Sequence, residues 1–347
     1  HPGDAPVCLP GPSYLALVLT NPPLIAVLGP TASGKSNLAL RLARRFRGEI
    51  VGCDSVQVYR FLDIGSSKVL KGEQAGIPHH LIDFLDPDQE FTAGRYMALG
   101  RTVLSEIGQR DHLPLVVGGT GLYLRALLNG LFDGPSGCES LRGRLQQQAR
   151  RKGGAYLHRL LARVDPDSAR RISPGDRPKI MRALEVYFLT AKPISLHFRT
   201  ATEKLKGFRL LKVGLSPARD RLYRRIEERV DRMFAGGLVE EVRSILATGY
   251  SPDCKPLQSL GYLQVVRFLQ GEIPLQAAAE ATKQATRNYA KRQLTWFRKE
   301  ENVTWFSGFG DEDSLGSEVE AHVADFIRAG TGQPSGASTR PVLLSAP

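Results

Sequence analysis

The sequence has 347 residues, of which 42% are apolar and 24% charged, as is ordinary for a soluble globular protein of one large domain or two. The 47 lysines and arginines outnumber the 35 aspartates and glutamates, which gives a formal net charge of +12. This charge favours a protein with a polyanionic partner over a basic enzyme without one, and nucleic acid is a better candidate for that partner than a membrane. No apolar run reaches the roughly 18 residues of a membrane span, and the four cysteines are too scattered for a zinc site or a disulfide framework, so we expect a cytoplasmic protein with no membrane contact.

Strands that alternate with helices predict a parallel α/β sheet flanked by helices. The expected strands are, in chain order, residues 24–28, 49–53, 113–117, 208–214 and 303–306. The expected helices are residues 36–47, 122–128, 219–234, 238–246, 274–299 and 311–329, with a helical, arginine-rich stretch at 139–199.

The composition divides the chain into regions. Residues 23–133 and 203–330 are expected to form one α/β core, and residues 134–202 a mostly helical insertion. Residues 1–22 are interpreted as a flexible N-terminal extension, and residues 331–347, rich in Gly, Ser and Pro, as a disordered tail. We expect a monomer with no obligate protein partner.

The most specific motif lies between the first strand and the first helix. Residues 29–36 read GPTASGKS and match G-x-x-x-x-G-K-[ST], the loop of P-loop NTPase-like folds. Its backbone N–H groups and the helix N-terminus hold a diphosphate or triphosphate, Lys35 reaches the distal phosphates, and the Ser36 hydroxyl can hold Mg²⁺. The expected phosphate-binding residues are Gly29, Pro30, Thr31, Ala32, Ser33, Gly34, Lys35 and Ser36. The alternative is a glycine-rich turn.

Two further strand ends carry polar residues. Asp54 follows the second strand, where a carboxylate can hold Mg²⁺ or act as a general base, or can simply be the N-cap of the next helix. The strand at 113–117 ends in Gly118-Gly119-Thr120 in place of the acidic residue of an ordinary P-loop ATPase, which argues against plain ATP hydrolysis. Thr120 can donate to a phosphate oxygen, ligate the metal, or cap the following helix.

The segment 287–299 has five basic residues, three aromatic residues and no acid. On a helix, Lys283, Arg287, Lys291 and Arg298 share one face, which suits a nucleic-acid backbone. The alternative is a solvated basic face. Trp296 and Phe297 are expected to pack on the core.

Together these motifs resemble the tRNA dimethylallyltransferase family, whose members are also called tRNA isopentenylpyrophosphate transferases. Within that family the resemblance is to the bacterial type. The matching segments are GPTASGKS (29–36), DSVQVYR (54–60), DIGSSK (63–68), HHLID (79–83), GGTGLYLRALL (118–128), RALEVY (182–187), GLVEEV (237–242), LGY (260–262) and TRNYAKRQLTWF (286–297). The resemblance implies an enzyme of class 2.5 that transfers a dimethylallyl group from dimethylallyl diphosphate to N6 of adenosine 37 of tRNA, 3′ to the anticodon.

The resemblance also implies roles for individual residues. Asp54, Thr120 and Lys35 would be catalytic, with Asp54 the general base, while Ser36 and Thr120 would hold Mg²⁺. The insertion at 134–202 would grip the anticodon stem-loop. The implied tRNA-binding residues are Asp54, Ser55, Val56, Gln57, Thr120, Arg142, Pro178, Lys179, Ile180, Met181, Arg182, Gln258, Ser259, Leu260, Gly261, Tyr262 and Leu263, with Arg287 and Lys291 added from the basic segment. The family often has basic residues at positions 258 and 263, and Pro-Asn-Asp where this chain has Pro174-Gly175-Asp176.

Three other functions fit part of this pattern. An adenine-nucleotide prenyltransferase would share the phosphate loop, Asp54 and Thr120, but would not need a long basic track. A small-molecule kinase or NTPase would share the loop, but not the Gly-Gly-Thr strand end. A non-catalytic RNA-binding module would not need the set of Lys35, Ser36, Asp54 and Thr120.

Overall fold

The computed structural model describes residues 21–132, 134–135, 137–153, 155–198 and 203–330. The predictions for residues 1–20 and 331–347 therefore lie outside the described residues. The chain divides into two compact units. Within the described range, the first comprises residues 21–89, 103–119 and 207–330, and the second residues 90–102 and 120–206.

A six-stranded sheet of parallel pairs forms the centre of the first unit, in the order β3-β2-β4-β1-β5-β6. The strands are β1 (Pro23–Leu28), β2 (Gly48–Gly52), β3 (His79–His80), β4 (Leu113–Val117), β5 (Arg209–Leu215) and β6 (Val303–Phe306). This confirms the predicted α/β class and all five predicted strands to within one residue. β3 was not predicted, because two residues are too few to show a pattern.

The helices of the chain are α1 (Lys35–Phe46), α2 (Ala93–Gln109), α3 (Gly121–Asn129), α4 (Glu139–Lys152), α5 (Tyr156–Val164), α6 (Pro166–Arg171), α7 (Arg177–Thr190), α8 (Ile194–His197), α9 (Arg219–Ala235), α10 (Leu238–Ala247), α11 (Tyr262–Leu269), α12 (Leu275–Phe297) and α13 (Asp313–Ala329). Short 3₁₀ helices lie at Lys71–Glu73 and Lys255–Gln258. None of the described helices combines the length and apolarity needed to cross a membrane.

The core of the first unit lies where α1 and α13 pack on the sheet. The apolar run of β1 is buried from Leu24 to Leu28, as in parallel sheets covered on both faces. Leu38 and Leu42 of α1 and Val319 and Val323 of α13 belong to the same buried cluster. This packing holds α1 against the sheet, with its first residue, Lys35, just beyond the end of β1.

The second unit is helical and has its own core, formed mainly by α4, α5 and α7. It contains the predicted insertion, 134–202, but extends beyond it because α3 and the start of α2 pack together. The rings of Tyr96 and Tyr123 stack with centroids 4.6 Å apart, and Phe91 meets both edge-on. The sequence did not predict α2, whose three glycines interrupt its apolar pattern.

Candidate active site

The carboxyl ends of β1, β2 and β4 open onto one cleft of about 710 Å³, at the edge where doubly wound sheets bind ligands. Its walls include residues 31–36 of the phosphate loop, Asp54 and Gln57, residues 63–64 and 66–70, and Gly118 and Gly119. Helices α9 and α12 add Arg225, Arg229, Arg232, Tyr289 and Gln293.

The phosphate loop is shaped to receive an anion. Gly34 has a φ of +82°, and a Cβ there would lie 2.6 Å from Asp311 Oδ1, so only glycine fits. No side chain caps α1, and its first turn carries no acid, which leaves N–H groups of that turn for a ligand. Within the described chain, the buried Ser33 hydroxyl also has no hydrogen-bond partner. The loop fits the phosphate-binding role predicted for it.

Lys35 lies on the inner side of this loop, where its Nζ donates to the Pro30 carbonyl at 2.6 Å. Burial, together with the nearby Arg229 guanidinium, lowers the pKa of Lys35 to about 7, although the Asp54 carboxylate opposes the shift. In the protein alone the ammonium is therefore only partly protonated at neutral pH. A bound anion would restore its charge.

Arg229 on α9 is a site residue that the sequence did not reveal. Its Nη1 donates to Thr31 Oγ1 at 3.0 Å, and its Nε donates to Ser67 Oγ at 2.9 Å. Burial lowers the pKa of Arg229 to about 10, so it remains charged at neutral pH. Because α9 carries many arginines at similar spacings, no sequence pattern singled this one out.

Asp54 caps a turn with one of its two carboxylate oxygens. Its Oδ1 accepts from the N–H groups of Val56 at 2.8 Å and Gln57 at 3.3 Å, so it caps a turn. The capping interpretation expected a helix here, but residues 55–58 form turns. Among the described residues Oδ2 of Asp54 has no hydrogen-bond partner. The positive groups of Lys35 and Arg229 interact electrostatically with this carboxylate. The capping role and the general-base role that the sequence left open are therefore compatible. Oδ1 makes the capping bonds, and Oδ2 is left for the proposed base.

Gly118 and Gly119 allow β4 to approach two neighbours closely. A Cβ on Gly118 would lie 2.0 Å from the Cys53 carbonyl oxygen, and one on Gly119 would lie 2.1 Å from Gln293 Nε2. Gln293 is buried, donates to the Gly119 carbonyl at 3.0 Å and accepts from the Thr31 N–H at 2.7 Å. Its amide therefore joins the end of β4 to the phosphate loop, a role the sequence did not indicate.

The predicted metal ligands stand at two places in the chain. Ser36 lines the cleft in the first unit, whereas Thr120 follows Gly119 and begins the second of the two segments that form the second unit. The Thr120 side chain does not cap α3, contrary to the capping alternative. Across the part of the chain that the structure describes, no three His, Cys, Asp or Glu residues are grouped to hold a metal ion.

Several predicted tRNA-binding side chains have structural partners. In the second unit, Arg142 and Arg182 both pair with the fully buried Glu185, at 2.8 and 2.7 Å. Ile180 is buried in the core of that unit, which corrects its expected RNA contact. Pro178 and Lys179 are exposed at the start of α7, and Met181 is partly buried.

The segment 258–263 is similarly divided. Tyr262 is fully buried and bonds to Glu241, so its side chain belongs to the fold and not to an RNA surface. Gln258 is exposed and donates to the Pro252 carbonyl at 2.8 Å, and Ser259 donates to Pro256 at 2.6 Å. Leu260 and Leu263 are half-buried, and Gly261 adopts a φ of +85° before α11.

The basic face predicted on α12 is partly neutralised. Lys283 pairs with Asp231 of α9 at 2.8 Å, and Arg287 pairs with Glu227 of the same helix. Both side chains therefore join α12 to α9. Neither the RNA-binding interpretation nor the solvated-face alternative predicted these ion pairs. Lys291 is exposed and forms no ion pair with any described residue. Phe297 is buried in the core, as predicted.

The fold and the cleft define a P-loop-like α/β protein whose cleft suits a phosphorylated ligand. The model of the IPP transferase family matches residues 57–300. The tRNA dimethylallyltransferase of Solibacter usitatus is 50% identical over 305 residues, which cover 88% of this chain and 99% of that protein. The chain therefore belongs to the IPP transferase family and is a prenyltransferase, as the motifs predicted.

Solved structures agree with this assignment. The full-length tRNA isopentenylpyrophosphate transferase of Bacillus halodurans is 37% identical, with a TM-score of 0.66, over 89% of this chain and 98% of that one. A eukaryotic dimethylallyltransferase, whose structures were determined acting on tRNA, is 28% identical with a TM-score of 0.76, over 89% of this chain and 80% of that one. These relatives favour transfer to tRNA over the adenine-nucleotide alternative.

Proposed function

We propose that the chain transfers a dimethylallyl group from dimethylallyl diphosphate to N6 of adenosine 37 of tRNA. The observation that carries this proposal is the arrangement of Asp54, Lys35 and Arg229. One carboxylate oxygen without a partner in the described chain and two cationic side chains belong to the same cleft. The two cations can stabilise the negative charge of the leaving diphosphate, and the carboxylate can accept a proton from the attacking amine.

The phosphate loop would hold the diphosphate group. N–H groups at the start of α1, the Lys35 ammonium and the Arg229 guanidinium supply positive charge where negative charge develops as the C1–O bond breaks. These groups are fixed in advance, since Arg229 is bonded to Thr31 and Ser67. The cleft therefore needs little reorganisation as the diphosphate departs.

Asp54 would act as the general base. N6 of the adenine forms a bond with C1 of the dimethylallyl group while its proton passes to Oδ2 of Asp54. The hydrogen bonds of Oδ1 to Val56 and Gln57 fix the direction of the carboxylate. A base within a stacked anticodon loop cannot reach this oxygen, so the target nucleotide must be flipped out of its stack.

Mg²⁺ would be held at the Ser36 hydroxyl, which follows Lys35 at the start of α1 and lines the cleft. Thr120, the second metal ligand that the family resemblance implies, is not among the described residues that line it. Mg²⁺ is commonly held by few protein ligands together with phosphate oxygens, so the lack of an acidic cluster in the described residues is no obstacle. When bound, the ion would neutralise charge on the diphosphate.

The second unit would hold the anticodon stem-loop. Arg144, Arg150 and Arg151 are exposed on α4, and Pro178 and Lys179 are exposed on α7. Guanidinium groups on a helix suit the phosphate backbone of folded RNA, which is recognised mainly by shape. In the first unit, the exposed Lys291 would add a further phosphate contact.

The decisive experiment supplies radiolabelled dimethylallyl diphosphate and Mg²⁺ with unmodified tRNA and, in parallel, with AMP. We expect label in tRNA alone, mapping to the adenosine 3′ to the anticodon, and a rate of labelling at least about a hundredfold lower with Asp54→Asn. Label in AMP alone would establish the adenine-nucleotide alternative. Label in neither, with ATP turnover in the absence of tRNA, would replace the proposal with a kinase or NTPase activity.

A further inference from the structure

The segment 63–67 forms a strained loop at the cleft. Ile64, Ser66 and Ser67 line the cleft, and Ser67 has a φ of +49°, a left-handed conformation that is costly for a residue with a side chain. Such a conformation persists only where the surroundings determine it. The contacts that hold this loop therefore also decide where its cleft-lining atoms lie.

The side chain of Glu241 binds the backbone of this loop. Its Oε2 accepts from the N–H groups of Asp63 at 3.0 Å and Ile64 at 2.7 Å, and its Oε1 is 3.3 Å from the N–H of Gly65. Glu241 lies on α10, far from the loop in sequence. Three consecutive N–H groups thus converge on one carboxylate, as in backbone nests that bind anions.

Tyr262 completes this contact. Its hydroxyl donates to Glu241 Oε1 at 2.7 Å, and a Cβ on Gly65 would lie only 2.6 Å from the tyrosine ring. Burial, and then the Glu241 carboxylate, raises the pKa of Tyr262, so the hydroxyl keeps its proton. The ring and the carboxylate together fix the loop on its N–H side.

The loop in turn holds Arg229. Ser67 Oγ accepts from Arg229 Nε at 2.9 Å, while Arg229 Nη1 reaches Thr31 of the phosphate loop at 3.0 Å. A continuous series of contacts thus runs from Glu241 through the loop to a cation of the cleft. No other described side chain binds the N–H groups of Asp63, Ile64 and Gly65.

We propose that Glu241 is a positioning residue for the diphosphate site, acting through Ser67 and Arg229 without touching the substrate. This inference rests on the proposed diphosphate site. With the nest unfilled, the Gln57 amide still donates to the carbonyls of Ser66 and Ser67. The loop has then lost its N–H anchor, however, and holds Ser67 less firmly against Arg229. One of the two bonds that aim the guanidinium into the cleft is then weakened.

The test measures binding of inorganic diphosphate, with Mg²⁺, to the full chain by titration calorimetry. In Glu241→Gln an amide NH₂ group faces backbone N–H donors, so we expect the Kd to rise about tenfold. The KM for dimethylallyl diphosphate should rise in parallel, while the KM for tRNA stays within about twofold. Glu240→Gln is the matched control, because Glu240 is exposed and pairs only with Arg243 among the described residues.

A double-mutant cycle with Ser67→Ala tests the route. If Glu241 acts through Ser67, adding Glu241→Gln to Ser67→Ala should change the Kd by less than about threefold. Full additivity would overturn this route and leave Glu241 with a general structural role. If Glu241→Gln does not fold, Tyr262→Phe retains the carboxylate, and a rise in the Kd of about threefold is expected.

Two outcomes distinguish a failure of the inference about Glu241 from a failure of the proposed diphosphate site. Tight binding of diphosphate by the unaltered chain, with equal binding by Glu241→Gln, would overturn the inference alone. No binding by the unaltered chain would overturn the diphosphate site and the inference with it.

Discussion

The side-chain oxygen of Gln293 accepts a hydrogen bond from the backbone N–H of Thr31 at 2.7 Å, although 262 positions separate the two residues. The same amide donates to the Gly119 carbonyl at 3.0 Å. One buried side chain of α12 therefore fixes both the phosphate loop and the end of β4. The basic segment of α12 is thus tied directly to the cleft, and changes on that helix can alter diphosphate binding without touching RNA.

We expect Asp54→Asn to lower the rate of transfer by a factor on the order of 10²–10⁴, since it removes the base. The asparagine oxygen can still accept from Val56 and Gln57, so the turn should remain intact. Single-turnover transfer and tRNA binding would be measured on the same preparation. Near-normal transfer would exclude the general-base role.

Asp54→Ala serves as the companion variant. It should lose transfer to the same extent and also lose the cap, at a cost of about 1 kcal/mol in the free energy of unfolding. Equal stability of the alanine and asparagine variants would show that the cap contributes little.

Binding of diphosphate should take up a proton at Lys35. The pKa of this amine is about 7 in the protein alone, and a neighbouring anion raises it. The affinity should therefore be greatest below pH 7 and weaken as the pH rises above it, after correction for the titration of diphosphate itself. Calorimetry at pH 8 in buffers of different ionisation enthalpy measures the uptake, expected to approach one proton. Lys35→Arg should abolish it, and unchanged uptake in that variant would assign the proton to another group.

Lys291→Glu should weaken tRNA binding about tenfold and make its logarithmic salt dependence shallower by about one to two. Lys291 is exposed and forms no ion pair in the described part of the chain, so its charge is available to phosphate. Lys283→Gln is the control, because Lys283 already pairs with Asp231 and Glu280. If both variants change the salt dependence equally, or neither does, the α12 face makes no specific phosphate contact at Lys291.

Glu185→Gln should destabilise the second unit by about 1.5–3 kcal/mol, since Arg142, Arg182 and the Cys138 N–H all donate to this carboxylate. Burial would raise the pKa of Glu185, but these donors lower it below its usual value. Its contribution is therefore present above its unfolded pKa and is lost as the pH falls.

Chemical denaturation with hydrogen exchange over residues 139–198 would measure this effect, with the exposed Glu139→Gln as control. The variant should also flatten the acid dependence of unfolding. Equal stability of the two variants would contradict the anchoring role of Glu185.

The sequence predicted the sheet well because its strands are short apolar runs that end at glycine or a polar residue. The run at 24–28 followed by GPTASGKS combined a buried strand, a loop and a helix start, and each signal supported the others. The helix α2 was missed because its glycines break the apolar periodicity, and its packing through Tyr96 and Tyr123 depends on contacts distant in sequence.

The sequence located cleft residues that belong to a local motif and missed those that only tertiary contacts bring to the cleft. Lys35 and Asp54 lie beside strand ends, so their place at the cleft followed from the topology. Arg229 and Gln293 lie within helices whose neighbouring residues look alike, and only the fold selects them. The pairing of Arg287 with Glu227 likewise depends on how α9 and α12 meet.

The pKa of Lys35 makes the charge of the cleft depend on what the cleft holds. Because the amine takes up a proton beside an anion, the empty cleft carries less positive charge than the occupied one. Departure of the diphosphate would let that proton leave again. Each cycle of binding and release would therefore carry a proton into the cleft and out of it, together with the phosphate group that Lys35 contacts.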